Sequence, residues 1–207
     1  MLNSANEFPI IDSSDGQAIA ETIAAAQNGD EAAFSILFET YKARICTYLA
    51  HLIGNEEEGR DLAQDTFLKA WRAFPQTTKE LQFEAWLYRI ATNTALDYLR
   101  SQKLRGLLWK GRGEGDHLDH IRIEGQENRI AEEEQIKQAL AEVSPQYRAC
   151  LLLQDVAGFK QREIATLLNM KEKNVSVYVR RGCEQFSAAY QCLEHGQTDP
   201  KKRRSLR

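Results

Sequence analysis

The sequence holds four cysteines, Cys46, Cys150, Cys183 and Cys192, and no two of them form a CxxC pair. No histidine stands beside one at ligand spacing, so a zinc site is excluded and the thiols read as reduced, mostly buried side chains. A run of eighteen or more apolar residues is also missing, as is a secretory leader pattern, which excludes a spanning helix and leads us to expect a soluble, cytoplasmic protein. No glycine-rich phosphate loop, nucleophile elbow or paired Cys/His cluster occurs, so neither nucleotide hydrolysis nor another catalytic activity is implied, and no cofactor or metal is expected.

Net charge is scarce too, at −3, which taken alone argues against a nucleic-acid partner. The local balance reverses that reading. Glu56 to Asp65 holds five acids and one base, and Leu99 to Arg112 holds five bases and no acid. Gly113 to Glu134 carries eight acids against two bases, and Val143 to Cys183 seven bases against three acids. Separated basic blocks can meet phosphates even though the sum hides them.

With 43% apolar residues in 207, the chain can build one packed core or two small ones. The apolar periods are helical throughout. Alanine-rich Gln17–Gln27 closes at Asn28-Gly29. Asp30 caps a long helix with Phe34, Leu37, Phe38, Tyr41, Ile45, Tyr48, Leu49 and Leu52 on one stripe, ended by Gly54. Asn55, with Glu58 three residues on, has the form of a capping box. The next helix places Asp61, Gln64, Asp65, Leu68 and Arg72 on one side and Leu62, Thr66, Phe67, Ala70 and Phe74 on the other. After the polar stretch Pro75–Gln82, a helix from Phe83 to about Lys103 puts Trp86, Arg89, Asn93, Asp97 and Arg100 in one stripe. An acidic face is thus followed by a face carrying an aromatic, an amide and arginines. Trp86 and Tyr88 have rings that stack on unpaired bases, Asn93 an amide that donates and accepts at once, and Arg89 and Arg100 charge for phosphates. Tyr88 is equally suited to a core position.

Gly106, Gly111, Gly113, Gly115 and Gly125 mark residues 104–128 as a linker, although Leu107, Leu108 and Trp109 are too apolar for a plain tether. A second helical unit follows over 129–193. Ser144-Pro145 opens one of its helices. Gln161–Leu168, a turn at Asn169 and a longer helix from about Lys173 form a helix-turn-helix, whose last helix should enter a major groove. Its candidate DNA contacts are Lys171, Lys173, Asn174, Ser176, Val177, Arg180 and Arg181. Residues 1–15 and 194–207 read as a disordered N-terminus and a basic tail, KKRRSLR.

The strings D-L-A-Q-D-T-F-L-K-A-W and W-L-Y-R-I-A-x-N resemble region 2 of bacterial RNA polymerase sigma factors of the extracytoplasmic-function (ECF) group within the sigma-70 family, and the helix-turn-helix resembles their region 4. The resemblance implies an all-α fold of two small helical domains, a region 2 bundle over 16–103 and a region 4 helix-turn-helix over 129–193, joined by the flexible linker. It implies core RNA polymerase and promoter DNA as partners. Asp61, Gln64, Asp65 and Leu68 would dock on the clamp helices of the largest subunit, and the second domain would meet the flap. Trp86, Tyr88, Arg89, Asn93 and Arg100 would hold the melted minus-ten element, and the last helix would read the minus-thirty-five element. Family members are often held by an anti-sigma protein. The chain departs from the usual recognition string, G-T-V-K-S-R-L-x-R-A-R. Ser176, Tyr178 and Cys183 stand where the Lys and two Arg are common, Asn169 replaces the turn Gly and Gly182 lies in a helix interior. An atypical promoter preference follows. The alternative reading is a stand-alone helix-turn-helix regulator that acts without polymerase.

Overall fold

A computed structural model describes residues 13–77, 82–109 and 127–194. The expectations for residues 1–12, for part of the polar loop, for most of the linker and for the basic tail lie outside these residues. The described elements are α1 (Ser13–Gln27), α2 (Glu31–Ile53), α3 (Glu56–Ala73), a 3-10 turn (Phe74–Gln76), α4 (Phe83–Trp109), α5 (Glu127–Glu142), α6 (Pro145–Asp155), α7 (Gln161–Leu167) and α8 (Glu172–Glu194). The fold is all-α, as expected.

The first domain is built around α2. Asp30 opens it by accepting from the N–H groups of Ala32 (2.9 Å) and Ala33 (3.1 Å), which satisfies two of the donors that a helix start leaves unpaired. Gly54 ends it in the left-handed region. Its stripe from Ala33 to Leu52 is buried, and Phe34, Tyr41 and Tyr48 meet Phe74, Phe83 and Tyr88 edge-to-face. Asn55 caps α3 by accepting from Glu57 and Glu58 N–H. The return half of the expected capping box is replaced, since the Glu58 carboxylate faces the Tyr98 hydroxyl of α4. Gly59 lets α3 lie against α2. A Cβ there would sit 2.6 Å from Ala50 N and 2.7 Å from Ala50 Cα, backbone atoms that cannot swing aside.

Three boundaries differ from the sequence reading. Residues 13–15, expected to belong to the disordered N-terminus, open α1. The linker does not begin at residue 104, because α4 continues through Gly106 to Trp109. One helical glycine costs about 1 kcal/mol, and Leu104, Leu107 and Leu108 around it are good helix formers. At the other end α5 begins at Glu127.

In the second domain Pro145 takes the first position of α6 after Ser144. Ser144 makes no side-chain cap; its N–H donates to Gln185 Oε1 of α8 at 2.9 Å. Asn169 turns between α7 and α8 at φ 51°, the conformation expected of it. Gly182, costly for a helix on its own, is buried where α8 crosses α6. A Cβ there would approach Tyr147 O to 3.1 Å and Leu151 Cβ to 3.4 Å. The departure at Gly182 is therefore a packing requirement.

Replacing Gly59 with Ala should destabilise the chain by about 2 kcal/mol or more through overpacking. Urea unfolding of the full chain measures it, and an unchanged midpoint would contradict the α2–α3 contact.

Candidate nucleic-acid interface

On α3, burial of Leu62, Ala63, Thr66, Phe67 and Ala70 leaves Asp61, Gln64, Asp65 and Leu68 facing solvent. Leu68 is 53% exposed. A single exposed Leu is ordinary, but this one follows Asp61, Gln64 and Asp65 on the same face of a helix whose other side is buried. The helix is locked in rotation, because Lys69 Nζ donates to Thr94 Oγ1 of α4 at 3.0 Å.

On α4, Arg89, Asn93 and Arg100 are exposed. Trp86 is half-buried, its ring 5.5 Å from Phe74 and 5.9 Å from Phe83, so it is held rigidly at the edge of the core. Arg100 pairs with Asp97 one turn away. Such exposed pairs contribute little, so a phosphate can displace the carboxylate. Tyr88 is a correction. At 1% exposure it is a core residue, edge-to-face with Tyr48 at 5.1 Å and with Phe159 at 5.2 Å. Burial pushes its hydroxyl up to about 12. Tyr88 does not stack on a base in this arrangement, because it falls on the α2 side of the helix, beside Leu87 and Ala91. Phe159 belongs to the second domain, which covers this part of α4. Arg162, Glu163 and Thr166 of the α7 region line a cleft together with Trp86 and Arg89.

On α8, Val175 and Val179 are buried, which turns Lys173, Asn174, Ser176 and Arg180 outward with Lys171 just before the helix. Val177 is 36% exposed. Arg180 pairs with Glu184 at 2.8 Å on the surface. Arg181 turns back toward α6, where Nη1 donates to the Tyr147 hydroxyl at 3.0 Å and the guanidinium lies 5.9 Å from the ring centroid. Tyr178 packs edge-to-face on the same ring at 5.0 Å. The unusual Tyr178 thus serves the α6–α8 contact.

Arg148 is the residue that sequence reasoning missed. It is 5% exposed and lies between the domains. Nη1 donates to Leu52 O of α2 at 2.9 Å, Nη2 to Ala141 O (2.6 Å) and Val143 O (2.9 Å), and Nε to Val143 O at 3.3 Å. These carbonyls sit at the C-terminal ends of α2 and α5, where helix dipoles favour a cation. Desolvation lowers its pKa to about 10, so the group stays charged at neutral pH. Its sequence signal was a cation placed directly before the apolar run Ala149–Leu153. Beside it Lys137 pairs with Glu56 at 2.6 Å, again across the two domains. His51 is close by, and its buried Nδ1 has no hydrogen-bond partner.

An all-helical chain with an exposed acidic helix, a helix after it that exposes Arg89, Asn93 and Arg100, and a helix-turn-helix has the form of a transcription-initiation protein. The model of Sigma-70 region 2 matches residues 37–105 and that of Sigma-70, region 4 matches residues 133–186, together more than half of the chain. The RNA polymerase sigma-H factor of Pseudomonas aeruginosa is 29% identical over 176 residues, covering 81% of this chain and 91% of that protein. The ECF RNA polymerase sigma factor SigW of Bacillus subtilis is 26% identical over 174 residues, covering 80% and 93%. Among solved structures, CnrH in complex with the cytosolic domain of CnrY is similar in fold (TM-score 0.62, 22% identity, 84% of this chain and 98% of that one). So is the sigma factor RpoE in complex with the anti-sigma factor NepR from Bartonella quintana (TM-score 0.62, 19% identity, 76% and 96%). The chain belongs to the sigma-70 family, in its ECF group. It is a sigma factor, which binds core RNA polymerase and directs promoter-specific initiation through the minus-ten and minus-thirty-five elements; the reading as a polymerase-independent regulator is not favoured.

Replacing Arg148 with Ala should cost about 3 kcal/mol, because it strands carbonyls at two helix ends. Glu56→Gln should cost under about 1 kcal/mol, the scale of an exposed pair. Unfolding midpoints compare the two, and the radius of gyration by X-ray scattering should rise for Arg148→Ala alone. A pH effect follows from His51, whose pKa is lowered by burial first and by Lys137 second, against a smaller opposing pull from Glu56. The folded chain therefore resists protonation that the unfolded chain accepts. Stability is full above the ordinary histidine range, near 6.5, and declines as pH falls below it. His51→Gln should remove that part of the decline in unfolding curves between about pH 7.5 and 5.5.

Proposed function

We infer that Asp61, Gln64, Asp65 and Leu68 form the polymerase-docking face, with the carboxylates steering encounter and Leu68 supplying the buried contact. Trp86, Arg89, Asn93 and Arg100 take the opened minus-ten strand, and the outward side of α8 reads the minus-thirty-five duplex. The observation that supports this reading is that successive, packed helices expose an acidic face on α3 and the Arg89–Asn93–Arg100 face on α4. Opened bases would be held by capture alone, with Trp86 stacking, Asn93 on base edges and the arginines on phosphates. The protein would act in the cytoplasm as a non-enzymatic factor. No described helix is long and apolar enough to cross a membrane.

The packed arrangement is the off-promoter form. Two elements about 25 base pairs apart lie roughly 85 Å apart on B-form duplex. Domains in contact through Arg148, Lys137 and Phe159 cannot reach both at once. Residues 110–126 supply up to about 60 Å when extended, enough to let the domains part while polymerase spans the rest. Parting also uncovers the Trp86–Arg89 side of α4. A protein that keeps the domains together would hold the factor inactive, and we propose an anti-sigma protein in that role; the similar RpoE fold was solved with the anti-sigma factor NepR. The cleft floored by Ile136, Leu140, Leu152 and Phe186 and rimmed by Glu132 and Glu133 suits a helix with an apolar face and basic flanks.

Reversing charge at Asp61 and Asp65 should weaken core-polymerase binding at least about tenfold, while leaving helical content unchanged. Replacing Asn93 with Ala should blur start-site choice in transcription from defined templates. Undiminished polymerase affinity, or start sites that stay the same, would contradict the respective assignments.

A further inference from the structure

Ser176 stands where the family commonly has a lysine, on the outward side of α8, and its hydroxyl is not free to rotate. Ser176 Oγ donates to Gln161 Oε1, across from α8 to the first residue of α7. Gln161 Nε2 donates in turn to Gln154 Oε1 on α6 at 3.1 Å. Gln154 Nε2 donates to Asp155 Oδ1 at 3.3 Å. The direction of this chain follows from chemistry. A carboxylate only accepts, so Asp155 draws the amide NH2 of Gln154 toward itself. That leaves the Gln154 oxygen for the NH2 of Gln161, and the Gln161 oxygen for the hydroxyl hydrogen of Ser176. Each bond polarises the next.

The consequence lies at the protein surface. With its only hydrogen committed inward, Ser176 presents lone pairs to the groove. An acceptor there matches an exocyclic amine, the N6 group of adenine or the N4 group of cytosine, and repels the O6 of guanine and the O4 of thymine. Each base pair carries one such amine in the major groove, so the acceptor reports which strand bears it. A free serine would accept or donate and would tell neither strand from the other. We propose that the relay Asp155–Gln154–Gln161 fixes Ser176 as an obligate acceptor, and that this makes the factor select an amine-bearing base at one position of its upstream element. Gln161 is then a positioning residue for promoter specificity. The inference rests on the assignment of α8 to the minus-thirty-five element, and it offers a reason why a residue without charge serves at a position where lysine is common.

The test uses holoenzyme assembled from core RNA polymerase and the full chain. It selects from promoter DNA whose upstream element is randomised, and the bound molecules are sequenced. One position should favour adenine or cytosine over guanine or thymine by about fivefold, the worth of a single oriented hydrogen bond; which of the two dominates identifies the amine. Ser176→Ala should level that position. Gln161→Ala should bring the preference below about twofold, with total DNA retention unchanged, and Asp155→Ala should lower it in the same direction. Gln161→Glu keeps the acceptor facing Ser176 and should keep the preference. The proposal is overturned if the position that Ser176→Ala levels favours guanine or thymine, if Gln161→Ala leaves the preference intact, or if Gln161→Glu loses it as fully as Gln161→Ala. Selection of no upstream motif by the unaltered holoenzyme would overturn the α8 assignment itself.

Discussion

The two halves of this molecule meet through one shared apolar core, and a buried guanidinium adds a directed bond to it. Arg148 leaves water to cap the C-terminal ends of α2 and α5, and the cost of burying it is met by several carbonyls rather than by a counter-ion. A carboxylate partner would make the contact strong and permanent. Only Leu52 O belongs to the other domain, and it can bond water when the domains part, so the contact across them is specific yet separable. Around it α5 and α6 pack on α2, and α6 and α7 on α4, in one apolar cluster. The Lys137–Glu56 pair is solvent-exposed, and Phe159 adds a ring against Tyr88. Arg148 therefore gives direction to an interface that apolar packing holds.

That docking divides the functional surfaces in two. The acidic face of α3 stays open to solvent, whereas Trp86 and Arg89 of α4 face α7 across a cleft. On the proposed reading, the packed chain offers its polymerase face freely and its strand-binding face with α7 standing across from it. The same division explains the partial cover on Tyr88, a core residue of the first domain that also supports the second.

Much of this was legible in the residues. Asp30, Asn55, Gly54 and Asn169 marked element ends because capping and left-handed geometry restrict residue type at single positions. The faces of α3 and α8 followed from apolar spacing. What was hidden shares one cause: packing between elements distant in sequence. Gly182 and Tyr178 look like losses in a recognition helix until α6 is set against them. Tyr88 has the chemistry of a stacking residue and the location of a core one. The extension of α4 past Gly106 outran a local breaker because the leucines around it favour helix. Arg148 stood as a cation directly before an apolar run, but its acceptors lie on two other helices, and only the fold brings them together.

The separable docking of the domains is tested most directly by a distance. Fluorescent labels at the exposed positions Gln102 on α4 and Ala188 on α8 report it by energy transfer, in the free chain and in the complex with core polymerase and promoter. The account predicts efficient transfer in the free chain and its near-complete loss in the complex, as the separation grows toward the roughly 85 Å between promoter elements. Equal transfer in both states would contradict it.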